Sequence, residues 1–308
     1  IPREQLDGVT GRADLGLSSG NRGRGAGFMV EGGTSRLGLH ADVFDRSTAD
    51  LRVPANLDCT QGGVTRTARR VCNSASDVRG GAVGASLFFD SGYLGASLSD
   101  YRSDYGSVAE DEVTIGMKST RQAVEGEWRN PLSGLQKLKL QAGHTDYRHT
   151  EFDAGAPGTV FSNRGNDWRL EARHAKLGAL DGVIGLQGES TRFSAVGDEA
   201  FAPYSRTRQT ALFAHEELTT AWGRLSFGAR GESVRVESFG NPDVARFVPA
   251  SRSFSPRSYA LGALWNLAPQ WQLTSGLSRT QRAPRDYELF ADGAHVATGA
   301  YEVGNASL

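Results

Sequence analysis

The chain has 308 residues, of which 39 are glycine and 10 are proline, and its formal net charge is −1. This near-neutral charge gives no electrostatic reason to expect a nucleic acid partner, and the glycine and proline content is below that of a disordered low-complexity chain. No run approaches the roughly 18 consecutive apolar residues that a spanning helix needs, which excludes a helical membrane protein but leaves a membrane β-barrel open.

Short stretches with alternating apolar and polar side chains recur along the whole chain. In 137–142 lysine or glutamine alternates with leucine or alanine, and 225–230 and 258–267 divide in the same way. A period of two residues is typical of β-strands with one apolar and one polar face. Clusters of Gly, Asn, Asp, Ser or Pro separate these stretches and no helical stripe is found, so the sequence predicts an all-β fold of about 13 strands.

The connections between the predicted strands alternate in length. Short turns are predicted at 32–34, 91–92, 131–134 and 268–270, and longer polar links at 54–77, 106–112, 153–166, 197–208 and 240–253. Four tryptophans lie near the short turns, namely Trp128, Trp222, Trp265 and Trp271. Both features favour an antiparallel up-and-down transmembrane β-barrel with an interfacial aromatic girdle over a soluble sandwich.

An odd strand count indicates an incomplete barrel, because bacterial single-chain barrels have an even number of strands. We therefore expect residues 1–308 to be a partial barrel domain. Any targeting segment of an exported protein would have to lie upstream of Ile1.

Two cysteines, Cys59 and Cys72, lie in one long polar link. In an exported loop such a pair is expected to form a disulfide. A metal site would need further ligands close by, and the nearest histidine in sequence is His40. The sequence therefore favours a disulfide.

Other motifs with chemical meaning are weak. The stretch 16–20 matches the G-x-S-x-G nucleophile elbow, but that motif needs a following helix and none is predicted. Five of the six histidines lie in strand patterns and are expected to be ordinary wall or rim residues, namely His40, His144, His149, His174 and His215. A denser polar group near one strand end leaves a metal site open, and it comprises His144, Asp146, His149, Glu151 and Asp153. The acidic run 110–112 is expected to be a solvated loop.

The last 31 residues, 278–308, resemble the barrel segment of TonB-dependent outer-membrane receptors. The matching residues are Arg282, Ala283, Pro284, Glu288, Leu289, Phe290, Gly293, His295, Val296, Ala297, Thr298, Tyr301, Glu302, Val303, Gly304 and Asn305. The stretch from Gly293 to Asn305 looks most like the zinc-uptake receptors of the ZnuD type. Further stretches fit the same group at 8–11, 18–21, 50–54, 99–106 and 146–149.

This resemblance implies a barrel of about 22 strands around a plug domain, located in the Gram-negative outer membrane. It implies active uptake of a metal ion or metal complex, with zinc favoured and a haem or siderophore receptor as the alternative. The expected partners are outer-membrane lipid, the metal or metal-complex ligand, and the TonB energy-transducing complex through the plug. The plug and the closing strands are expected to lie outside 1–308. The barrel itself needs no cofactor, and zinc or haem would be cargo.

The resemblance also names candidate ligands. His295 maps onto a proposed barrel ligand, and Glu151 and Asp153 are the candidates for the accompanying carboxylate, with further ligands expected from the plug. A neutral imidazole beside a carboxylate suits Zn²⁺. His295 also has two other possible roles, as a hydrogen-bonded loop residue or as a haem contact. A different class of function, an outer-membrane barrel enzyme or a passive porin, finds no supporting residue pair, and no enzymatic activity is expected.

Overall fold

The computed structural model describes residues 1–110, 112–197, 200–295 and 300–308. Asp111 of the acidic run and Val296, Ala297 and Thr298 of the terminal motif lie outside the described residues. The only helix in the described residues is α1 (Asp286–Phe290). The strands are β1 (Gly8–Ser18), β2 (Gly23–Gly33), β3 (Leu37–Thr48), β4 (Arg52–Gln61), β5 (Val64–Arg70), β6 (Ser76–Phe89), β7 (Gly92–Gly106), β8 (Val113–Leu132), β9 (Leu135–Asp153), β10 (Ala156–His174), β11 (Leu180–Val196), β12 (Ser205–Thr220), β13 (Gly223–Phe239), β14 (Pro249–Phe254), β15 (Arg257–Ala268), β16 (Trp271–Arg279), β17 (Asp292–His295) and β18 (Ala300–Val303).

Most of these strands form one antiparallel up-and-down sheet. Within the described residues it has 14 strands, in the order β1-β2-β3-β6-β7-β8-β9-β10-β11-β12-β13-β15-β16, with β14 paired to β13 beside that path. The pairs β4–β5 and β17–β18 form two small separate sheets. The sheet is open, with β1 and β16 at its edges. The predicted all-β, antiparallel up-and-down fold is confirmed.

One predicted link is wrong. The stretch 153–166 is not a long loop, because β9 runs to Asp153 and β10 begins at Ala156. Ala154 and Gly155 alone make the turn, and both have positive φ, 45° and 83°. Two central residues with positive φ suit the right-handed twist of a tight hairpin. The polar residues of 153–166, which the sequence predicts to be a loop, therefore belong to the ends of the two strands.

The register gives the sheet an apolar face and a polar face. Leu170, Leu186 and Leu212 lie directly opposite one another on three neighbouring strands and define the apolar face. Arg169 and Gln187 lie opposite one another on the polar face. The apolar row is open, since Leu212 is 58% exposed. No helix among the described residues is long and apolar enough to cross a membrane.

The two ends of the sheet differ. At the short-turn end, connections of two or three residues join β2 to β3, β6 to β7, β8 to β9, β12 to β13 and β15 to β16. The opposite, long-loop end holds the β4–β5 hairpin, β14 and the segment after β16. Trp222 and Trp265 stack at the short-turn end with ring centroids 5.9 Å apart. The alternation of short and long connections is therefore present in most of the structure. The tight β9–β10 turn and the four-residue β1–β2 connection, both at the long-loop end, depart from it.

Charged side chains cover the polar face in ion pairs. Arg121 donates to both carboxylate oxygens of Asp167, at 2.7 and 3.0 Å. Glu125 accepts from Arg3 at 2.6 and 2.9 Å and from Gln141 at 2.7 Å. Because Arg3 precedes β1, this contact holds the N-terminal segment against the polar face. A buried carboxylate is stabilised only when such partners neutralise it.

The β4–β5 hairpin is closed by the disulfide Cys59–Cys72, as the sequence predicts. The two Cα atoms are 5.7 Å apart, and both cysteines are buried. The bond joins the part of β4 near the Gly62–Gly63 turn to the segment after β5, so it ties the hairpin, which is not part of the main sheet, to the chain that follows it.

Removing this disulfide is expected to loosen the hairpin alone. Closing a loop of about 15 residues stabilises it by about 3 kcal/mol in the chain-entropy model. In the variant Cys59→Ser/Cys72→Ser, amide exchange should accelerate in Thr60–Thr65 and stay unchanged in β11. Thiol labelling of the unaltered protein without reductant should modify neither cysteine, and labelling of both would contradict the assignment.

Candidate functional site

The segment after β16 folds into a compact unit, which we call the clasp, made of residues 282–295 and 300–306. Arg282 donates to both oxygens of Glu288 at 2.6 Å each, and the backbone N–H of Arg285 donates to the same carboxylate at 2.7 Å. The Arg282 hydrogen bonds, followed by that of Arg285, lower the pKa of Glu288 to about 2. The charged carboxylate therefore fixes the start of α1.

The clasp packs against the polar face of β12 and β13. Leu289 is 2% exposed and clusters with Val234 and Val236 of β13. The Ser205 hydroxyl of β12 donates to the Asp286 carboxylate. One buried leucine and one hydrogen bond thus dock α1 onto the sheet at its long-loop end.

Two glycines permit this packing. A Cβ on Gly293 would lie 2.8 Å from the Cα of Phe201, and one on Gly304 would lie 2.6 Å from the carbonyl carbon of Leu289. Both distances are shorter than real Cβ contacts, so a side chain at either position would push the backbone apart. The backbone N–H of Asn305 closes the unit by donating to the Glu288 carbonyl at 2.7 Å.

The remaining residues of the terminal motif also have structural contacts. The Tyr301 hydroxyl donates to the Asp292 carboxylate at 2.9 Å, and this bond is the main cause that raises the pKa of Tyr301. Pro284 lies half-buried just before α1. Most of the motif that carries the resemblance therefore builds the clasp, and His295 and Glu302 project from it.

Beside the clasp, five rings form a chain of contacts that we call the mouth cluster. They belong to Tyr147, His149, Phe161, Phe201 and His295. The His149 and Phe161 rings stack at 4.5 Å, Phe161 lies 6.0 Å from Phe201, and Phe201 stacks on His295 at 4.2 Å between centroids. The Tyr147 hydroxyl is hydrogen-bonded to Nδ1 of His149 at 2.9 Å. The clasp thereby brings His295 onto Phe201, which links it through Phe161 of β10 to His149 of β9.

Each imidazole of the mouth cluster has a carboxylate beside it. Nδ1 of His295 lies 2.7 Å from Oε1 of Glu302, and because a carboxylate only accepts, the imidazole is the donor. Nε2 of His149 lies 4.0 Å from Oε1 of Glu151, which is 5% exposed. The mouth cluster thus contains two imidazoles whose ring nitrogens could bind a metal, together with aromatic rings, and a carboxylate lies beside each imidazole.

The predicted ligands are only partly brought together. His295 is a member of the mouth cluster, and Glu151 lies beside another member, His149. Asp153 is exposed at the β9–β10 turn and takes no part in these contacts within the described chain. Among the described residues no group of three or more His, Cys, Asp or Glu side chains is arranged to hold a metal ion.

The polar group noted in the sequence is divided between two faces. His144 pairs with Asn166 at 2.9 Å and Asp146 with Arg164 at 3.1 Å, on the face that carries the leucine row. His149 and Glu151 lie on the opposite face, because side chains alternate along a strand. The five residues therefore do not form one site.

Several residues of the mouth cluster have no signal as site residues in the sequence. In the sequence Phe161 and Phe201 look like ordinary strand and loop residues, and Glu302, which lies beside the cluster, is distinguished only as part of the terminal motif. The spacing of His149 and Glu151, two residues apart in a strand, puts both on one face and is the single local clue.

The protein-family model described as TonB dependent receptor-like, beta-barrel matches residues 73–308. Among solved structures the chain is similar to the copper transporter OprC, with a TM-score of 0.78 and 15% identity over 94% of this chain and 48% of that one. It is also similar to the FrpB iron transporter from Neisseria meningitidis, with a TM-score of 0.74 and 12% identity over 91% of this chain and 46% of that one.

A third similar structure is a double mutant of the Serratia marcescens hemophore receptor HasR in complex with its hemophore HasA and heme. Its TM-score is 0.69, with 12% identity over 98% of this chain and 49% of that one. At such identities the likeness shows the fold alone. The chain spans about half the length of these three proteins.

Neutralising Glu288 is expected to loosen the clasp. Because its pKa is lowered from 4.5 to about 2, its stabilising contribution is complete above pH 4.5 and is lost as the pH falls through about 2. In Glu288→Gln at pH 7, amide exchange of Leu289 and Asn305 should accelerate severalfold, and the unaltered protein should approach the same rates near pH 2 after correction for intrinsic exchange.

The matched control is Glu217→Gln, which removes another carboxylate paired with an arginine, at 3.1 Å from Arg224 at the short-turn end. This control should leave clasp exchange unchanged. Equal exchange in the clasp of Glu288→Gln and the unaltered protein would show that the Arg282–Glu288 pair does not hold it.

Proposed function

The chain belongs to the TonB-dependent receptor β-barrel family, and we propose that it forms part of the wall of an outer-membrane receptor for uptake of a metal ion or metal complex. The mouth cluster carries this proposal. It places two imidazoles and two carboxylates beside stacked aromatic rings at the long-loop end of the polar face. The similar solved structures bear the names of transporters and a receptor rather than of enzymes.

The two faces of the sheet support the membrane part of the proposal. An exposed row of leucines crosses neighbouring strands, and contiguous exposed apolar surface marks contact with a partner or a membrane. In a bilayer this face would contact lipid and the charged polar face would line the lumen. Open sheet edges are not tolerated in lipid, so we propose that further strands continue from β1 and β16 to close the barrel.

Zinc is the favoured cargo. A metal-bound histidine usually donates its other ring N–H to a carboxylate, and His295 makes that hydrogen bond to Glu302. Nε2 of His295 would then bind the metal, and Glu151 and His149 of β9 would have to move toward it to act as further ligands. Zinc usually takes four ligands. We propose that a plug domain inside the barrel supplies the remainder.

Uptake would be a gated binding process, in which the receptor binds the cargo and then opens a path for it. The loops at the long-loop end would capture the ligand, and energy from the TonB complex would move the plug. The ion-paired polar face, which includes Arg121–Asp167 and Arg3–Glu125, would then line the path inward. No bond of the cargo needs to be made or broken.

Removing the His295 imidazole is expected to weaken zinc binding to the full-length receptor. Isothermal titration should show a loss of at least about 100-fold for His295→Ala, and about 10- to 100-fold for Glu302→Gln, because losing a ligand costs more than losing the carboxylate that orients it.

His144→Ala is the matched control, since His144 lies on the opposite face and pairs with Asn166. Zinc affinity unchanged in His295→Ala would exclude His295 as a ligand. Saturable haem binding without zinc binding would assign the mouth cluster to haem instead.

A further inference from the structure

The chain just before β1 crosses the polar face of the sheet near its short-turn end, and we call residues 1–6 the arm. Leu6 lies against the last residue of β2. Further back along the chain, Pro2 lies against β3, and Ile1 lies against β6 and β7. The arm therefore runs from the edge strand β1 across its neighbours in the sheet.

The arm lies in a shallow groove of the sheet. One row of residues on the four neighbouring strands β3, β6, β7 and β8 forms the floor of this groove, and it comprises Gly38, Ser86, Gly95 and Glu125. A Cβ on Gly38 would lie 3.1 Å from Cβ of Pro2, and one on Gly95 would overlap Ile1. Because glycine has no side chain, the arm can approach the backbone of the sheet closely.

Hydrogen bonds hold the arm in this groove. Pro2 is buried, and its carbonyl accepts from the hydroxyl of Ser86 at 2.5 Å. Ser86 is 2% exposed, and a buried hydroxyl needs such a partner. The side-chain amide of Gln5 donates to the carbonyl of Ser35 at 2.9 Å. The arm is thus fixed at both of its ends.

The strongest contact of the arm is the ion pair between Arg3 and Glu125. Arg3 donates to both oxygens of Glu125, at 2.6 and 2.9 Å, which is the bidentate geometry of a strong ion pair. The Glu125 side chain is 6% exposed, and Tyr93 and Gln141 also donate to it. Arg3 supplies the nearest positive charge, since the ammonium of Lys139 lies 3.7 Å away. Loss of Arg3 would leave a buried carboxylate poorly compensated.

The position of this ion pair matters because β1 is an edge strand. β1 pairs with β2 from Gly8 to Ser18, and the arm enters it at Gly8. A pull at that end would break the hydrogen bonds of β1 one after another, and unpaired backbone groups are costly in lipid. Glu125 lies on β8, five strands away from β1. A load on the chain before the arm therefore reaches Glu125 before it reaches β1.

We propose that the arm is a mechanical anchor, which ends a pull on the preceding chain at the Arg3–Glu125 pair and so protects the pairing of β1. This proposal rests on the proposed function, in which energy input moves a plug domain that joins the chain before the arm. The plug moves while the arm stays on the wall, and the barrel stays closed beside β1. Arg3 and Glu125 are positioning residues in this process.

Single-molecule force spectroscopy tests the anchor in the full-length receptor, reconstituted in a bilayer and pulled from its N-terminus. The domain before the arm should unfold first, and the extension should then halt with the arm still bound. A separate rupture should release the five residues from Arg3 to Asp7, about 17 Å of extended chain, before β1 loses its pairing.

Removing the arginine should shorten this halt. At constant force, its lifetime should fall at least about tenfold in Arg3→Gln, because a bidentate charged hydrogen bond is lost. Glu125→Gln should have the same effect from the other side of the pair. The matched control is Glu4→Gln, which changes the neighbouring residue of the arm and should leave the lifetime as it is in the unaltered protein.

A cross-link tests the anchor in the working receptor. Cβ atoms at Pro2 and Gly38 would lie 3.1 Å apart, close to the distance across a disulfide, so Pro2→Cys/Gly38→Cys can tie the arm to β3. Since the arm stays on the wall, the oxidised and reduced forms should take up Zn²⁺ at the same rate. Gly38→Cys alone controls for the space that the new side chain takes.

A continuous extension without a halt in the unaltered receptor, or equal halts in Arg3→Gln and Glu4→Gln, would overturn the proposal. Loss of Zn²⁺ uptake in the oxidised double variant that reductant restores would also overturn it. Absence of Zn²⁺ uptake by the unaltered receptor would instead contradict the proposed function, and the force measurement would still decide whether the arm is an anchor.

Discussion

The strict alternation of side chains across one continuous antiparallel register governs the whole structure. Each strand sends successive side chains to opposite faces, so a slip of one residue would exchange its two faces. Since Leu170, Leu186 and Leu212 align on one face while Arg169 and Gln187 align on the other, the register fixes both surfaces together. The charged lining, and the presence of His149 and Glu151 on the same face as that lining, follow from this single arrangement.

The clasp adds the contacts that alternation cannot provide. Leu289 packs against β13, and the absence of a side chain at Gly304 lets the chain cross α1 closely. These contacts bring His295 onto Phe201 and so into the mouth cluster. In this family member the terminal motif is thus chiefly a folding element that presents one imidazole and one carboxylate toward the space above the polar face.

Local patterns in the sequence were enough to predict the all-β class, the approximate strand number and the disulfide. They failed where distance in sequence is large. His149 and His295 belong to one cluster of rings only because Phe161 and Phe201 lie between them, and no local spacing indicates that. Lys118 lies opposite Arg148 because of the register between β8 and β9, and the composition of the two strands does not determine that register. The turn at Ala154–Gly155 was missed because the strand extensions around it are polar.

The central claim, that the leucine row faces lipid and the charged face lines the lumen, can be measured on β11. Spin labels at Ile184 and Leu186 should be accessible to oxygen dissolved in the bilayer when the full-length receptor is reconstituted in vesicles. Labels at Val183 and Gln187 should be shielded from it, since neighbours on one strand point to opposite faces. Equal accessibility at all four positions, or the reverse pattern, would contradict the assignment of the two faces.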